Sequence, residues 1–206
     1  MLALTYQVTQ ARLPWPVVLA SASPRRRELL ARLIPEFKID VADLDEEALV
    51  VADPVETAEL LALAKALAVA KRNPQTLVIG GDTVVALGSR QFSKPGSRAE
   101  GVEMLMTLSS RQHRVISAAA LVWPGGQVVI SDIAEVSFRT LSVEEAEAYV
   151  ATGEPMDKAG GYAIQGGAAS FVARLDGEIE TVVGMPLSRL GDALAKLAQI
   201  GSGHRA

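Results

Sequence analysis

The chain predicts an α/β or α+β protein, a mixed twisted β-sheet flanked by helices, and three observations predict it. Short apolar, β-branched runs alternate with helix-patterned runs along nearly its whole length. Several helical runs open at recognisable caps, and turns rich in Gly, Pro and Asp separate the strands. No repeat, low-complexity stretch or Gly/Ser-rich linker divides the 206 residues, so a single domain is expected, with a cleft where the glycine-rich and charged turns gather.

The elements follow in order. VVLA at 17–20 reads as a short buried strand. Ser23 is placed to cap the next helix, with Pro24 at the first helical position, where its missing N–H costs nothing. Residues 37–41 read as a second short strand and ADLDEEAL as an acidic connection. Asp53, with Glu56 three residues on, opens a long helix that Asn73-Pro74 stops. TLVIGGDTVVAL is apolar and β-branched on both sides of Gly80-Gly81-Asp82, which predicts a central strand bent there to present Asp82. Residues 97–108 are helical by pattern. RVISAAALVWPGGQVVISDIAEVSF reads as two long strands joined at Pro124-Gly125-Gly126. Ser142 and Glu145 form a capping-box pair for the helix SVEEAEAYV. FVARLDGEIETVVG predicts a hairpin on an Asp-Gly turn, and PLSRLGDALAKLAQI a closing amphipathic helix. Residues 1–16 are expected to be an extension, 17–200 the domain and 201–206 a flexible tail.

Composition excludes several function classes. Apolar residues make up 49% and charged residues 21%, the balance of a folded globular chain. With no cysteine, disulfides, zinc-thiolate sites and thiol nucleophiles are ruled out, and the cytoplasm is the expected setting. No secretory signal pattern is seen, and no stretch approaches the roughly 18 apolar residues of a membrane span, so no membrane partner is expected. A net charge of -4 with both signs mixed, and only three Tyr, four Phe and two Trp, argue against a nucleic-acid polymer. Phosphate-binding G-x-x-x-x-G-K-[ST], dinucleotide G-x-G-x-x-G, H-E-x-x-H and G-x-S-x-G are absent. The two histidines are His113 and His204; His113, beside Arg111 and Arg114, is expected on the surface.

The remaining polar residues form one set. SASPRRR gathers the Ser21 and Ser23 hydroxyls, a helix N-terminus and Arg25 to Arg27. Cations are unfavourable at that end of a helix dipole, but they make sense where phosphate oxygens arrive. The alternative is a solvated helix face. Asp82, beside Thr83, and Glu46 in the acidic loop offer carboxylates for Mg²⁺ or Mn²⁺, although acidic loops are ordinarily only solvated. Lys94 precedes a proline. Lys65, in an alanine-rich helix, ordinarily snorkels to water unless its face borders the cleft. GEPMDKAGGYAIQGGAASF is too polar for a core and too apolar for a linker, as binding loops are.

Taken in order, SASPRRRELL, GDTVV, SKP, RVISAAALV, SFRTLS, GEPMDKAGGYAIQG and VVGMPL resemble the signatures of the Maf family of nucleoside triphosphate pyrophosphatases. The resemblance implies a Maf/ITPase-like fold with two lobes around a deep nucleotide cleft, usually a homodimer. It implies hydrolysis of a nucleoside triphosphate to the monophosphate and pyrophosphate with a divalent metal. By the same matching Asp82 is catalytic, either as general base or by orienting a water on the metal, and Glu46 is a second carboxylate at the metal. Arg26, Lys65 and Lys94 match basic residues near the phosphates, while Arg25, Thr83 and Gln165 match residues linked with substrate choice. Arg25, Thr83, DKAG and IQG look like the dTTP/UTP branch; the 7-methyl-GTP branch usually carries tryptophan after SP and glutamine after the aspartate. Gly81 and Gly161 depart from the usual alanines but remain small. A glutamine amide complements the N3–H and a carbonyl of uracil or thymine, whereas cytosine has no N3–H to offer. The alternatives are a 7-methyl-GTP or altered-purine pyrophosphatase and a non-catalytic, septum-associated interaction protein.

Overall fold

The computed structural model describes residues 13–202. Along the chain lie β1 (Val17–Ala20), α1 (Pro24–Ala31), β2 (Lys38–Ile39), α2 (Pro54–Ala70), β3 (Leu77–Leu87), β4 (Arg90–Phe92) and α3 (Arg98–Leu108). There follow β5 (Gln112–Trp123), β6 (Gly126–Phe138), α4 (Val143–Ala151), β7 (Val172–Asp176), α5 (Ile179–Val183) and α6 (Leu187–Ser202). Most of the expected extension, residues 1–12, and residues 203–206 of the expected tail lie outside the described residues. Helix α6 continues through the first two tail positions.

Local chemistry starts the helices where the sequence places them. The Ser23 hydroxyl accepts from the Arg26 N–H, Asp53 accepts from the Val55 and Glu56 N–H groups, and Ser97 accepts from Glu100. Ser142 and Glu145 make the reciprocal capping box of α4, which satisfies donors a helix start otherwise leaves orphaned.

The seven strands form one mixed sheet in the order β2-β1-β3-β5-β6-β7, with β4 paired to β3. Strand β1 runs parallel to β2 and β3, while β4, β5 and β6 meet their neighbours antiparallel. Side chains alternate across the sheet. Even-numbered residues of β3, Val78, Val84 and Ala86, pack with Ala58, Ala62 and Ala66 of α2. Odd-numbered residues face the other way into two clusters. Leu77 and Ile79 join α1 and α6 through Leu29, Leu30, Leu190 and Leu194. Val85 joins Leu105, Phe138, Tyr149 and Phe171. Each large side chain so buried stabilises the fold by about 1.5–3 kcal/mol. Between the clusters, the positions on this face of β3 and β5 are Gly81, Thr83, Ser117 and Ala119.

The strand pairing itself opens the cleft. Strand β1 accompanies β3 only as far as the Ala20–Gly80 pair, and β4 joins the same edge only from Val85. Residues 81–84 therefore lie on an uncovered stretch of sheet edge, where side chains from both faces reach one space.

Four expectations need correction. The Gly80-Gly81 step does not bend β3, which runs unbroken through eleven residues. Gly80 instead lets α2 approach, since a Cβ there would lie 2.3 Å from the Ala62 carbonyl oxygen. The expected hairpin forms only its first strand. Gly177 turns with φ +117° close over Ala134, and the β-branched IETVV then becomes α5, burying Thr181, Val182 and Val183, a case of tertiary packing overriding strand propensity. The second strand, expected at 37–41, is reduced to two residues. His113 is 1% exposed rather than on the surface, because the alternation of β5 turns it inward between its exposed or half-buried neighbours.

Candidate active site

The cleft has a volume of ≈ 560 Å³ and is lined by residues from well-separated segments, among them Arg25, Arg26, Glu46, Lys65, Asp82, Thr83 and Lys94. On the α2 face of β3, Asp82 is the buried carboxylate. Lys65, reaching across from α2, donates to Asp82 Oδ1 at 2.6 Å and to Glu46 Oε2 at 2.8 Å. The lysine thus borders the cleft, the condition the sequence set for a role beyond solvation. Its ammonium draws together two carboxylates that sit 19 and 17 residues away from it in the chain.

Thr83, the next residue, points to the opposite face. Its hydroxyl accepts from Arg26 Nη2 at 3.0 Å and shares a hydrogen bond with Ser117 Oγ at 2.9 Å. Ser117 donates in turn to the Thr181 carbonyl at 2.7 Å. Arg26 also donates from Nε to the Gly184 carbonyl at 3.0 Å and from Nη1 to Ser21 Oγ at 3.3 Å. Among the described residues three of its five N–H groups are committed in this way, which leaves two for a ligand. Burial lowers the Arg26 guanidinium from its ordinary range, opposed by Asp82 and then Glu46. Arg25 is lowered too, first by burial, with Asp157 opposing. Both guanidiniums are partly stripped of water, which strengthens their pull on an arriving anion.

Ser21 does not line the cleft. Its hydroxyl accepts from the Ser23 N–H and from Arg26, so it supports the arginine from behind. Lys94 lines the cleft as an exposed side chain. Gln165 lies in an adjoining recess of ≈ 150 Å³ with Arg25, Glu154, Lys158, Ile164 and Val183. Arg25, Lys158 and Val183 line both spaces, so the two are contiguous.

Asp157 and Lys158, the first two residues of DKAG, are not among the expected site residues; they pair with each other and line the cleft. Ser117 and Thr181 were missed altogether. They lie in runs that read as apolar, and no local pattern reports a partner 64 residues away. His113 stands behind the cleft: Nε2 and the Tyr162 hydroxyl share a hydrogen bond at 2.8 Å, Phe138 meets the ring edge-on at 5.0 Å, and Nδ1 is buried without a partner among the described residues. Burial alone lowers its pKa to about 4, and Tyr162 itself lines the cleft.

Among the described residues no three His, Cys, Asp or Glu side chains gather as a metal cage. What the cleft offers is a pair of hard oxygen donors, Asp82 and Glu46, already arranged around a shared positive charge. That suits an octahedral cation whose remaining positions go to water and ligand phosphates, and residues holding Mg²⁺ or Mn²⁺ fit it. No helix among the described residues is long and apolar enough to cross a membrane.

The uncovered sheet edge sets the Asp82 carboxylate on one face, and α1 brings the guanidiniums of Arg25 and Arg26 to the same cleft, an arrangement chemically suited to a polyanion accompanied by a divalent cation. The chain belongs to the Maf family: residues 16–197 match the family described as Maf-like protein. It is 47% identical over 181 residues to a dTTP/UTP pyrophosphatase of Desulforamulus reducens, covering 87% of this chain and 95% of that one. It is 43% identical to a dTTP/UTP pyrophosphatase of Aquifex aeolicus, covering 88% and 95%. In structure it is similar to a HAM1 protein from Coxiella burnetii with a TM-score of 0.50 and 16% identity, covering 88% of this chain and 99% of that one, a likeness of fold alone.

Proposed function

We propose that this protein is a nucleoside triphosphate pyrophosphatase that hydrolyses dTTP and UTP to the monophosphate and pyrophosphate. The observation that carries the reading is the single cleft in which the buried Asp82 is held by Lys65 while Arg26 keeps two N–H groups unspent.

The triphosphate enters with its oxygens on Arg25, Arg26 and Lys94, where partly desolvated cations bind phosphate strongly. Asp82 accepts a hydrogen bond from the attacking water, aims it at the α-phosphorus and takes its proton as the new P–O bond forms. Lys65 holds the carboxylate in that position. Pyrophosphate departs opposite the water, its developing charge met by the same cations. Asp82 and Glu46 would hold Mg²⁺ or Mn²⁺, which when bound neutralises phosphate charge and polarises the scissile anhydride. Gln165 reads the pyrimidine, its amide accepting from N3–H and donating to a carbonyl. With the amide held in that orientation, cytosine would leave the contact unmatched at a cost of roughly 1–3 kcal/mol, about 5- to 150-fold in kcat/KM. The homodimer and the cytoplasmic setting belong to the same proposal, and sedimentation of the purified chain tests the first.

The deciding experiment measures pyrophosphate released from dTTP, UTP, CTP, GTP, ITP and 7-methyl-GTP with Mg²⁺ or Mn²⁺. Preference for dTTP and UTP is expected, with Asp82→Asn slower by about 10²- to 10⁴-fold. A folded protein that leaves every nucleotide intact, or an Asp82→Asn variant with normal turnover, overturns the reading.

A further inference from the structure

Gln165 stands at the third position of a tight turn over residues 163–166, closed by the Gly166 N–H donating to the Ala163 carbonyl at 3.0 Å. Among the described residues the amide of Gln165 has no protein partner. The place of that amide is therefore set by the turn that carries it and not by bonds of its own.

Two side chains from outside the turn hold both of its shoulders. Two residues before Gln165, the Ala163 N–H donates to the Tyr149 hydroxyl at 3.0 Å. Two residues after it, the Gly167 N–H donates to Glu154 Oε2 at 2.9 Å. The two holding groups face one another, close enough that the Glu154 carboxylate adds to burial in raising the Tyr149 phenol above its ordinary pKa. The phenol thus holds the Ala163 N–H and the carboxylate the Gly167 N–H, one on each side of Gln165.

The space is filled as closely as the hydrogen bonds are satisfied. A Cβ on Gly166 would lie 1.7 Å from Glu154 Oε1, and one on Gly167 would lie 3.0 Å from the Tyr149 ring. Tyr149 is itself anchored on α4, 6% exposed, with its ring edge-on to Phe171 at 5.3 Å. A buried phenol that accepts from Ala163 and a carboxylate that accepts from Gly167 make a stiff support, since leaving either donor unpaired is costly.

We propose that Tyr149 and Glu154 are positioning residues for nucleobase selectivity, a clasp that acts on the pyrimidine through Gln165 by fixing the turn that carries its amide. The inference rests on the reading of Gln165 as the base-contacting residue. A clasp of this kind governs the ratio of substrates more than the chemical step, which takes place at Asp82.

The test measures kcat/KM for UTP and CTP in the wild type and in Gln165→Ala, Glu154→Ala, Glu154→Gln and Tyr149→Phe, each below its unfolding transition. The UTP:CTP ratio is expected to fall at least about fivefold in Glu154→Ala and Tyr149→Phe, toward the value of Gln165→Ala, while kcat for UTP changes less. Glu154→Gln, whose amide oxygen still accepts from Gly167, is expected to keep most of the ratio. Tyr149→Phe preserves the ring packing, so it decides the matter should Glu154→Ala fail to fold. If Gln165→Ala lowers the ratio and the clasp variants leave it within about twofold of wild type, the clasp is refuted while the base reading stands. If Gln165→Ala leaves the ratio unchanged, the base reading falls and the clasp falls with it.

Discussion

Replacing Gly80 by alanine tests whether the contact between α2 and β3 sets the geometry of the cleft. The new Cβ would lie 2.3 Å from the Ala62 carbonyl oxygen, 2.8 Å from the Ala66 nitrogen and 3.0 Å from the Ala66 Cβ. Ordinary contacts are roughly 1 Å longer than the shortest of these, so helix and strand must part by about that distance. Overpacking of this kind costs about 1–3 kcal/mol, which for a chain of this size lowers Tm by about 2–12 °C. Lys65 sits on α2 between the two contacts, and its 2.6 Å bond to Asp82 spans the same gap. A displacement of about 1 Å there is expected to slow pyrophosphate release by on the order of 10²-fold even where the protein is fully folded. Calorimetry gives Tm and a pyrophosphate assay well below it gives turnover. The two nearest atoms belong to the backbone, so a second change of Ala66→Gly should restore little of either. A Gly80→Ala protein with native Tm and turnover would show that the packing does not set the site.

Other outcomes follow from the same structure. His113 has a pKa of about 4 in the fold against 6.5 when free, so the unfolded chain binds the extra proton first and stability falls as pH drops from 6.5 toward 4. The full difference is about 3 kcal/mol, and denaturant midpoints across that range should flatten in His113→Phe, whereas an unchanged slope would contradict the buried neutral ring. Ser142→Ala removes one half of the capping box of α4 and is expected to cost about 1 kcal/mol, seen as a Tm lower by about 2–4 °C with UTP kinetics unaltered.

Much of this architecture could be read from the residues because its signals are local. Ser23-Pro24, Asp53, Ser97 and Ser142 each announce a helix through chemistry within four residues, and each helix starts there. The long apolar runs of β5 and β6 likewise declare themselves. Three of the four failures concern partners distant in sequence. Gly80 looks like a bend when nothing in its neighbourhood mentions Ala62. IETVV looks like a strand until it is known that β7 already closes the sheet and that Thr181 must meet Ser117. His113, among arginines, looks exposed because the aromatic pocket formed by Phe138 and Tyr162 comes from later segments. The site divides in the same way. Arg26, Lys65, Asp82 and Lys94 stand out as charges in unusual settings, and the fold brings them to one cleft. Ser21 stands out too, in the serine-rich turn, but it backs the arginine instead of lining the cleft, while Ser117, Tyr149 and Glu154 carry no such mark, being ordinary residues known only by what they touch.

The hydroxyls of Thr83 and Ser117 carry one proton each, and their arrangement decides where those protons go. The Thr181 carbonyl can only accept, so Ser117 gives its proton there. The bond between the two hydroxyls must then be made by the proton of Thr83, whose oxygen meanwhile receives an N–H from Arg26. Thr83 has nothing left to give. Whatever polar atom of a ligand meets that oxygen has to bring its own hydrogen, so a buried backbone carbonyl on α5, outside the cleft, fixes the polarity of a contact inside it.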